Sequence, residues 1–119
     1  LAGWVDYWYP EYMPEGFELV GAEQDIFDKT MAFESIREGA YLVIDVSSNE
    51  NFVIDQDTEH TVIEEIKIGH YQGYIAISTS DNSCRLVWQT EDHLIDIHAD
   101  NYQNREELIK IAENMKYIK

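Results

Sequence analysis

Residues 73–99 read GYIAISTSDNSCRLVWQTEDHLIDIHA, and this stretch predicts the fold. Polar residues at 81–83 and 90–92 favour turns and divide it into three parts. The stretch therefore predicts three consecutive antiparallel strands, with one buried face that another element must cover. Each predicted strand is apolar, or alternates apolar with polar residues, over the length of a strand: 74–78, 85–89 and 94–98.

The predicted cover is a C-terminal helix over residues 104–118. Asn104 and Glu107 have the spacing of a capping box, which marks the start of a helix. We expect an apolar stripe of this helix to face the core of the sheet. The residues of the stripe recur at helical spacing: Leu108, Ile111, Ala112, Met115 and Ile118.

The first half of the chain contains further strand patterns. Glu38 and Gly39 predict a tight hairpin turn between two of them. The run at 41–44 is apolar on both faces, which indicates a central strand covered on both sides. Short turns between neighbours favour antiparallel pairing. The four patterns lie at 17–20, 29–38, 40–46 and 60–68.

Together these patterns predict one α+β domain over residues 1–119. Residues 1–16 form an aromatic, proline-containing lead-in, and residues 17–100 form a curved antiparallel β-sheet of about six or seven strands. The single C-terminal helix, 104–118, packs on one face of that sheet. A chain of 119 residues, 45% of them hydrophobic, is long enough for one core and too short for two ordinary domains.

A polar connection over residues 47–59 follows the hairpin. Residues 52–54 are apolar and indicate a short edge strand. Asp55 and Asp57 resemble the opening of a calcium loop, but the glycine for its sharp turn and the distal glutamate are missing. We interpret residues 55–59 as a solvated acidic turn.

Acidic residues outnumber basic ones by 24 to 8, so the formal net charge is −16. This charge repels nucleic acid and anionic membranes, and the sequence has no cluster of lysine or arginine as a local exception. No apolar run reaches the ~20 residues that a spanning helix needs. The chain begins without methionine, so we interpret it as a fragment and expect any membrane anchor upstream of residue 1.

Cys84 is the only cysteine, so no disulfide can form within the chain. It alternates with Leu86 and Trp88, which places it on the inward face of its strand as a small buried side chain. A reactive thiolate needs a neighbouring positive charge, which an acidic chain disfavours. We therefore predict a structural cysteine.

Aromatic residues are concentrated near the start of the chain, where Pro10 and Pro14 keep the backbone extended or turning. One interpretation is a lid over one end of the sheet core. A second is an exposed platform for a glycan or an extended peptide, since tryptophan and tyrosine combine apolar area with a polar group. A third is a position at a membrane interface. The five residues are Trp4, Tyr7, Trp8, Tyr9 and Tyr12.

Asp96, His98 and Asp100 alternate along one predicted strand, and imidazole and carboxylate groups both suit zinc or manganese. Alternate strand residues lie ~6.5 Å apart, too far for three ligands of one ion without a bend or a further residue such as His93. A solvated outer face explains the same residues. We therefore predict neither a metal nor another cofactor, and these three residues are the candidate set if one exists.

The sequence contains no motif of an enzyme active site. It lacks a Gly-x-Ser-x-Gly elbow, a phosphate-binding glycine loop and a His-Glu-x-x-His helix. Its four histidines share no spacing that suggests a catalytic triad, and its acid pairs are too numerous to be informative. We therefore expect a domain that is not an enzyme.

The chain resembles a bacterial family of extracytoplasmic domains of unknown function, found mostly in Firmicutes. Members often follow a single membrane-spanning helix, sometimes in proteins with anti-sigma-factor character. The chain differs at His70, which stands beside a lone Gly69 where the family tends to place a second pair of glycines. The resembling segments are PEYMPEGFEL (10–19), IKIGHYQGY (66–74), LVW (86–88) and EELIKIAEN (106–114).

The resemblance implies a location outside the cytoplasm and a sensory role without catalysis. We expect a sensing or regulatory domain of a membrane-anchored bacterial protein, which binds a ligand or another protein. The alternative is a cell-surface module that binds a glycan or a peptide through the aromatic segment, residues 4–12. In both cases nucleic acid is no partner, and the membrane is reached only through a segment upstream of residue 1.

Overall fold

The computed structural model describes residues 3–48 and 60–119. The predicted edge strand at 52–54 and the predicted acidic turn at 55–59 lie outside the described residues. In chain order the elements are β1 (Tyr7–Pro10), β2 (Phe17–Gln24), β3 (Asp28–Ser35), β4 (Ala40–Ser48), β5 (Thr61–Ile68), β6 (Tyr71–Ser78), β7 (Cys84–Gln89), β8 (His93–Asp100), α1 (Arg105–Glu113) and β9 (Met115–Ile118).

Seven strands form one sheet in the order β2-β3-β4-β8-β7-β6-β5. All of its neighbouring pairs are antiparallel. Each pair except β4–β8 joins strands that are consecutive in the sequence, as short turns predict. The prediction of an antiparallel sheet of about six or seven strands is confirmed.

The fold is mostly β, which corrects the predicted α+β class. The described residues contain nine strands and one helix, and that helix has nine residues. Three residues of α1 are buried and belong to the same hydrophobic core as the sheet: Leu108, Ile111 and Ala112. So short a helix is far below the length that crosses a bilayer, and the described residues hold no other helix.

The core lies on one face of the sheet. A row of fully buried side chains crosses five adjacent strands, because the register places each residue opposite the next. Alternation along each strand then directs the intervening residues to the other face. The row consists of Met31, Ile44, Ile97, Leu86 and Ile75.

The helix begins as predicted but ends earlier. Asn104 adopts an extended backbone, and its side-chain oxygen accepts a hydrogen bond of 3.2 Å from the amide of Glu107. Asn114 closes the other end, where its side-chain amide donates to the carbonyl of Lys110 at 2.8 Å. The prediction of a helix over 104–118 is therefore wrong beyond Glu113.

The last residues form β9, which pairs antiparallel with β1 in a separate two-stranded sheet. Tyr7 lies opposite Ile118, and Pro10 lies opposite Met115. The predicted lead-in over residues 1–16 thus contains a strand. Local pattern could not show this pairing, because its partners come from opposite ends of the sequence.

Strand β4 is central, as predicted, but only one of its faces is fully buried. Leu42 and Ile44 have no exposed surface, whereas Tyr41 on the other face is 47% exposed. The prediction of a strand covered on both sides is therefore wrong. The outer face of the sheet is a mixed surface of tyrosine, valine and acidic side chains.

Candidate functional site

Four aromatic side chains meet where the two-stranded sheet adjoins one end of the main sheet. Trp8 lies edge-on to Trp88, with ring centroids 5.2 Å apart. Tyr71 is 5.6 Å from Trp88, and Tyr117 is 5.6 Å from Trp8. We call this group the aromatic cleft. Its members come from β1, β6, β7 and β9, so only the folded chain brings them together.

Two cavities adjoin the aromatic cleft, and Trp8 and Tyr71 line both of them. The larger has a volume of about 310 Å³ and is also lined by Trp88, Met115 and Glu113. The smaller has a volume of about 240 Å³. Besides the shared rings, it is lined by Tyr117, His93, Thr90, Glu91 and Asp92. The lining of the two cavities therefore combines apolar side chains with carboxylates.

Two hydrogen-bond donors in the aromatic cleft are unsatisfied. Within the described part of the chain, neither Trp8 Nε1 nor Trp88 Nε1 has a hydrogen-bond acceptor, although both atoms are buried. Trp88 is 2% exposed, whereas Trp8 is only partly buried. A buried donor without a partner destabilises a fold by roughly 1–3 kcal/mol, so such groups are uncommon and require an explanation.

A hydrogen-bonded clasp fixes the wall of the smaller cavity. The hydroxyl of Tyr117 donates to the carboxylate of Asp6. The ring of His93, which is 6% exposed, places Nε2 3.2 Å from the carbonyl oxygen of Asp6 and 3.3 Å from its carboxylate. The bond from Tyr117 lowers the pKa of Asp6, and the same bond raises the pKa of Tyr117. The clasp ties the segment before β1 to β8 and β9.

Local backbone geometry allows this packing. Gly73 lies opposite Trp88, and a Cβ at residue 73 would lie 3.0 Å from both Trp88 Cβ and the carbonyl oxygen of Val87. A larger residue would therefore push the indole out of place. Asp6 has a φ of 58°, a left-handed conformation that aspartate tolerates better than most residues.

The five aromatic residues predicted as a site do not all lie at one place. Tyr7 is a core residue with 3% exposure, and Trp4 packs edge-on against it at 5.5 Å. Tyr9 also packs edge-on against Tyr7, at 6.5 Å. Of the five, Trp8 alone lines the two cavities among the described residues.

Tyr12 fastens the lead-in to the helix. Its hydroxyl donates to the Glu107 carboxylate at 2.6 Å, and Lys110 Nζ lies 4.3 Å from the centre of its ring. The hydrogen bond to Glu107 raises the pKa of Tyr12. Tyr12 and Trp4 thus pack around the core rather than in the cleft.

Sequence reasoning missed three members of the cleft: Tyr71, Trp88 and Tyr117. Trp88 was expected inside the core, and it is buried there. Tyr117 was not predicted as a member because helical spacing placed residue 117 in the predicted helix, 104–118. The available signal was the pair of glycines at 69 and 73, which bracket Tyr71 and mark a tight turn and a close approach of two strands.

The candidate metal set does not converge. Asp96 forms a salt bridge with Arg85, whose Nε donates to its carboxylate at 2.9 Å. His98 and Asp100 are exposed, and His93 lies on the opposite, buried face of β8. Within residues 3–48 and 60–119, no three histidine, cysteine or acidic side chains are arranged to hold a metal ion.

A third cavity, of about 320 Å³, lies at the other end of β6 and β7, where His60, His98 and Arg85 line it. Some of the polar groups in its lining bond within the chain. Arg85 pairs with Asp96, and the hydroxyl of Ser83 donates to the carboxylate of Asp81. Among the described residues, its lining includes none of the unsatisfied buried donors that distinguish the aromatic cleft.

Burial shifts the pKa of an aspartate and of the cysteine outside the cleft. Burial raises the pKa of Asp45, which accepts a hydrogen bond of 3.2 Å from Thr30. Cys84 is 3% exposed, which confirms the prediction of a buried cysteine, and burial raises the pKa of its thiol. Neither group lines the aromatic cleft.

Comparison with known protein families identifies a match over most of the chain. The model of a domain of unknown function, DUF4367, matches residues 8–115. No curated protein and no solved structure matches the chain. The matched range runs from Trp8 to the first residue of β9, and it includes Tyr71 and Trp88 of the cleft. Because the match covers most of the chain, the chain belongs to this family of domains of unknown function, DUF4367.

Proposed function

We propose that this domain is a binding module whose ligand is a small molecule held in the aromatic cleft. The observation that carries the proposal is the pair of buried, unsatisfied indole N–H groups of Trp8 and Trp88, two residues that line one cavity. The ligand would offer an apolar body to the rings and an oxygen acceptor to an indole. Recognition of this kind requires no catalytic residue.

The dimensions of the cleft suit a small ligand. The larger cavity, about 310 Å³, is at the lower end of the roughly 300–1,000 Å³ range of ligand pockets. Both indole nitrogens have almost no accessible surface, so an acceptor can reach one only if a ring turns. Trp8 is the ring that can turn, because it is partly exposed and lies on a strand of four residues.

We further propose that binding serves sensing or regulation outside the cytoplasm, in a membrane-anchored bacterial protein. The resemblance of residues 10–19 and 66–74 to extracytoplasmic bacterial domains supports this role. A net charge of −16 suits a protein that stays clear of anionic membranes and nucleic acid. The alternative is a surface module that binds a glycan or a peptide through the residues around Trp8.

The test uses the indole N–H signals of ¹⁵N-labelled protein. The chain has three tryptophans, Trp4, Trp8 and Trp88, so three signals are expected. A library of small apolar molecules with oxygen acceptors, together with a glycan and peptide panel, is titrated in. We expect a small-molecule hit to shift the Trp8 and Trp88 signals and to leave Trp4 unchanged, because Trp4 does not line the described cavities.

Two variants complete the test. Trp8→Phe removes one donor from the cleft and should weaken binding of a hit about tenfold, in line with the loss of one buried hydrogen bond. Trp4→Phe is the matched control and should leave binding unchanged. Binding that moves Trp4 alone, or no binding by any member of the panel, would overturn the proposal. A glycan or peptide as the best hit would favour the alternative.

A further inference from the structure

Building on the proposed function, we infer that the ligand of the aromatic cleft is an organic cation that carries a hydroxyl or carbonyl oxygen. Amino alcohols and quaternary ammonium alcohols belong to this class. The inference rests on what lines the two cavities: aromatic rings and carboxylates, with two indole donors among the rings.

Aromatic rings bind cations through the negative potential of their faces, and tryptophan does so best. Trp8 and Trp88 line the larger cavity with Tyr71, and Trp8 and Tyr71 line the smaller one with Tyr117. This number of rings around a small space is typical of sites for quaternary ammonium groups. Rings alone would also suit a neutral apolar ligand, so the charges of the lining decide between the two.

The charged residues of the lining are acidic. Glu113 lines the larger cavity, and Glu91 and Asp92 line the smaller one. Among the described residues that line the two cavities, none is lysine or arginine, and the ring of His93 already contacts Asp6. The net charge of the whole chain is −16, so this acidic lining attracts a cation and repels an anion.

The unsatisfied indole donors add the second requirement. An N–H group cannot bind a cation, so the ligand that satisfies Trp8 or Trp88 must also bring an acceptor atom. A hydroxyl or carbonyl oxygen meets this need without the negative charge of a carboxylate. The cleft therefore selects a molecule with a positive head and a neutral oxygen nearby.

The test compares choline with 3,3-dimethylbutan-1-ol, which has the same shape and hydroxyl group but no charge. Both are titrated into the ¹⁵N-labelled protein while the Trp8 and Trp88 indole signals are followed. We expect choline to shift both signals and to bind about tenfold more tightly than the neutral alcohol. Equal or tighter binding of the neutral alcohol would overturn the cation inference and leave the binding module standing.

The variant Glu113→Gln isolates the charge of the cavity wall with little risk to the fold, because Glu113 is an exposed residue at the end of α1. It should weaken choline about threefold and leave the neutral alcohol unchanged. Glu18→Gln, on the exposed edge strand β2, is the control and should affect neither. Equal weakening of both probes by Glu113→Gln would overturn the inference. If neither probe binds while another small molecule of the library does, the cation inference alone fails.

Discussion

The two ends of the main sheet differ in whether their buried or turn polar groups have hydrogen-bond partners. At the end where β6 finishes and β7 begins, Gln103 donates to the carbonyl groups of Ser78 at 2.6 Å and Ser83 at 2.9 Å. Beside it, Asn101 donates to the carbonyl of Gly39 at 3.0 Å. We call this the paired end, because side-chain amides there satisfy the carbonyl groups of the turns.

At the opposite end, the aromatic cleft keeps two buried donors without partners in the described residues, Trp8 Nε1 and Trp88 Nε1. A fold that keeps a buried polar group unsatisfied loses stability, and a site that a ligand completes accounts for that loss. The comparison therefore teaches where to look for a ligand. It also predicts that substitutions at the two ends differ in how far they lower the free energy of unfolding and in whether they shift the indole signals of the cleft.

The largest effect is expected from Trp88→Ala. Trp88 is 2% exposed and packs against Trp8 and Tyr71, so its removal leaves a large cavity in the core. We expect the free energy of unfolding to fall by about 3–5 kcal/mol, measured by urea denaturation. Trp4→Ala is the control and should have a smaller effect, because Trp4 is only partly buried. Equal losses of unfolding free energy in the two variants would contradict the conclusion that Trp88 contributes more to the core than Trp4 does.

A smaller effect is expected from Gly73→Ala. The new methyl group would lie 3.0 Å from Trp88 Cβ and from the backbone oxygen of Val87, which cannot move without shifting a strand. We expect a loss of about 1–3 kcal/mol in urea denaturation, together with a shift of the Trp88 indole signal. Gly21→Ala is the matched control, since its methyl group would meet Ala32 at an ordinary 4.0 Å. A neutral Gly73→Ala would show that the packing of the cleft is loose.

The paired end gives the third prediction. Gln103→Ala removes the donor to Ser78 and Ser83, and we expect a loss of about 1 kcal/mol. The indole signals of Trp8 and Trp88 should not move, because the aromatic cleft lies at the other end of β6 and β7. Gln24→Ala, on the exposed edge strand β2, is the control and should be neutral. Movement of the indole signals would show that the two ends are coupled.

The sequence predicted the strands of the seven-stranded sheet because each one alternates or runs apolar between polar turns. Range 17–100 holds the seven-stranded sheet, and Asn104 caps the helix as its spacing with Glu107 predicts. The prediction of the helix is wrong after Glu113, because Met115 and Ile118 fit the helical spacing that begins at Leu108. Asn114 was the available stop signal, since asparagine often ends a helix.

The aromatic cleft could not be predicted in this way. Its four rings come from positions 8, 71, 88 and 117, and local patterns do not report contacts between distant segments. The density of aromatic residues near the start of the chain pointed to Trp8. The pairing of β1 with β9, which brings Tyr117 to Trp8, depends on tertiary structure alone. A site assembled from four strands therefore appears only in the fold.

The smallest expected effect concerns the clasp of Asp6, His93 and Tyr117, which fixes one wall of the cleft. The hydrogen bond from Tyr117 lowers the pKa of Asp6, so the folded state holds the charged carboxylate more strongly than the unfolded state does. The clasp therefore contributes stability above the ordinary pKa of an aspartate, about 4, and this stability is lost as the pH falls through the lower pKa of the folded state.

Asp6→Asn tests this contribution without disturbing the backbone, because asparagine also tolerates the left-handed φ of 58°. Since the Asp6 side chain is 65% exposed, solvent screens the interaction, and we expect a loss of only a few tenths of a kcal/mol at pH 7. The difference from the unsubstituted protein should shrink towards zero as the pH falls below the lowered pKa of Asp6, and urea denaturation across the pH range measures it. Asp100→Asn, exposed at the end of β8, controls for the change in net charge. A difference that stays constant with pH would mean that the clasp acts through shape and not through the charge of Asp6.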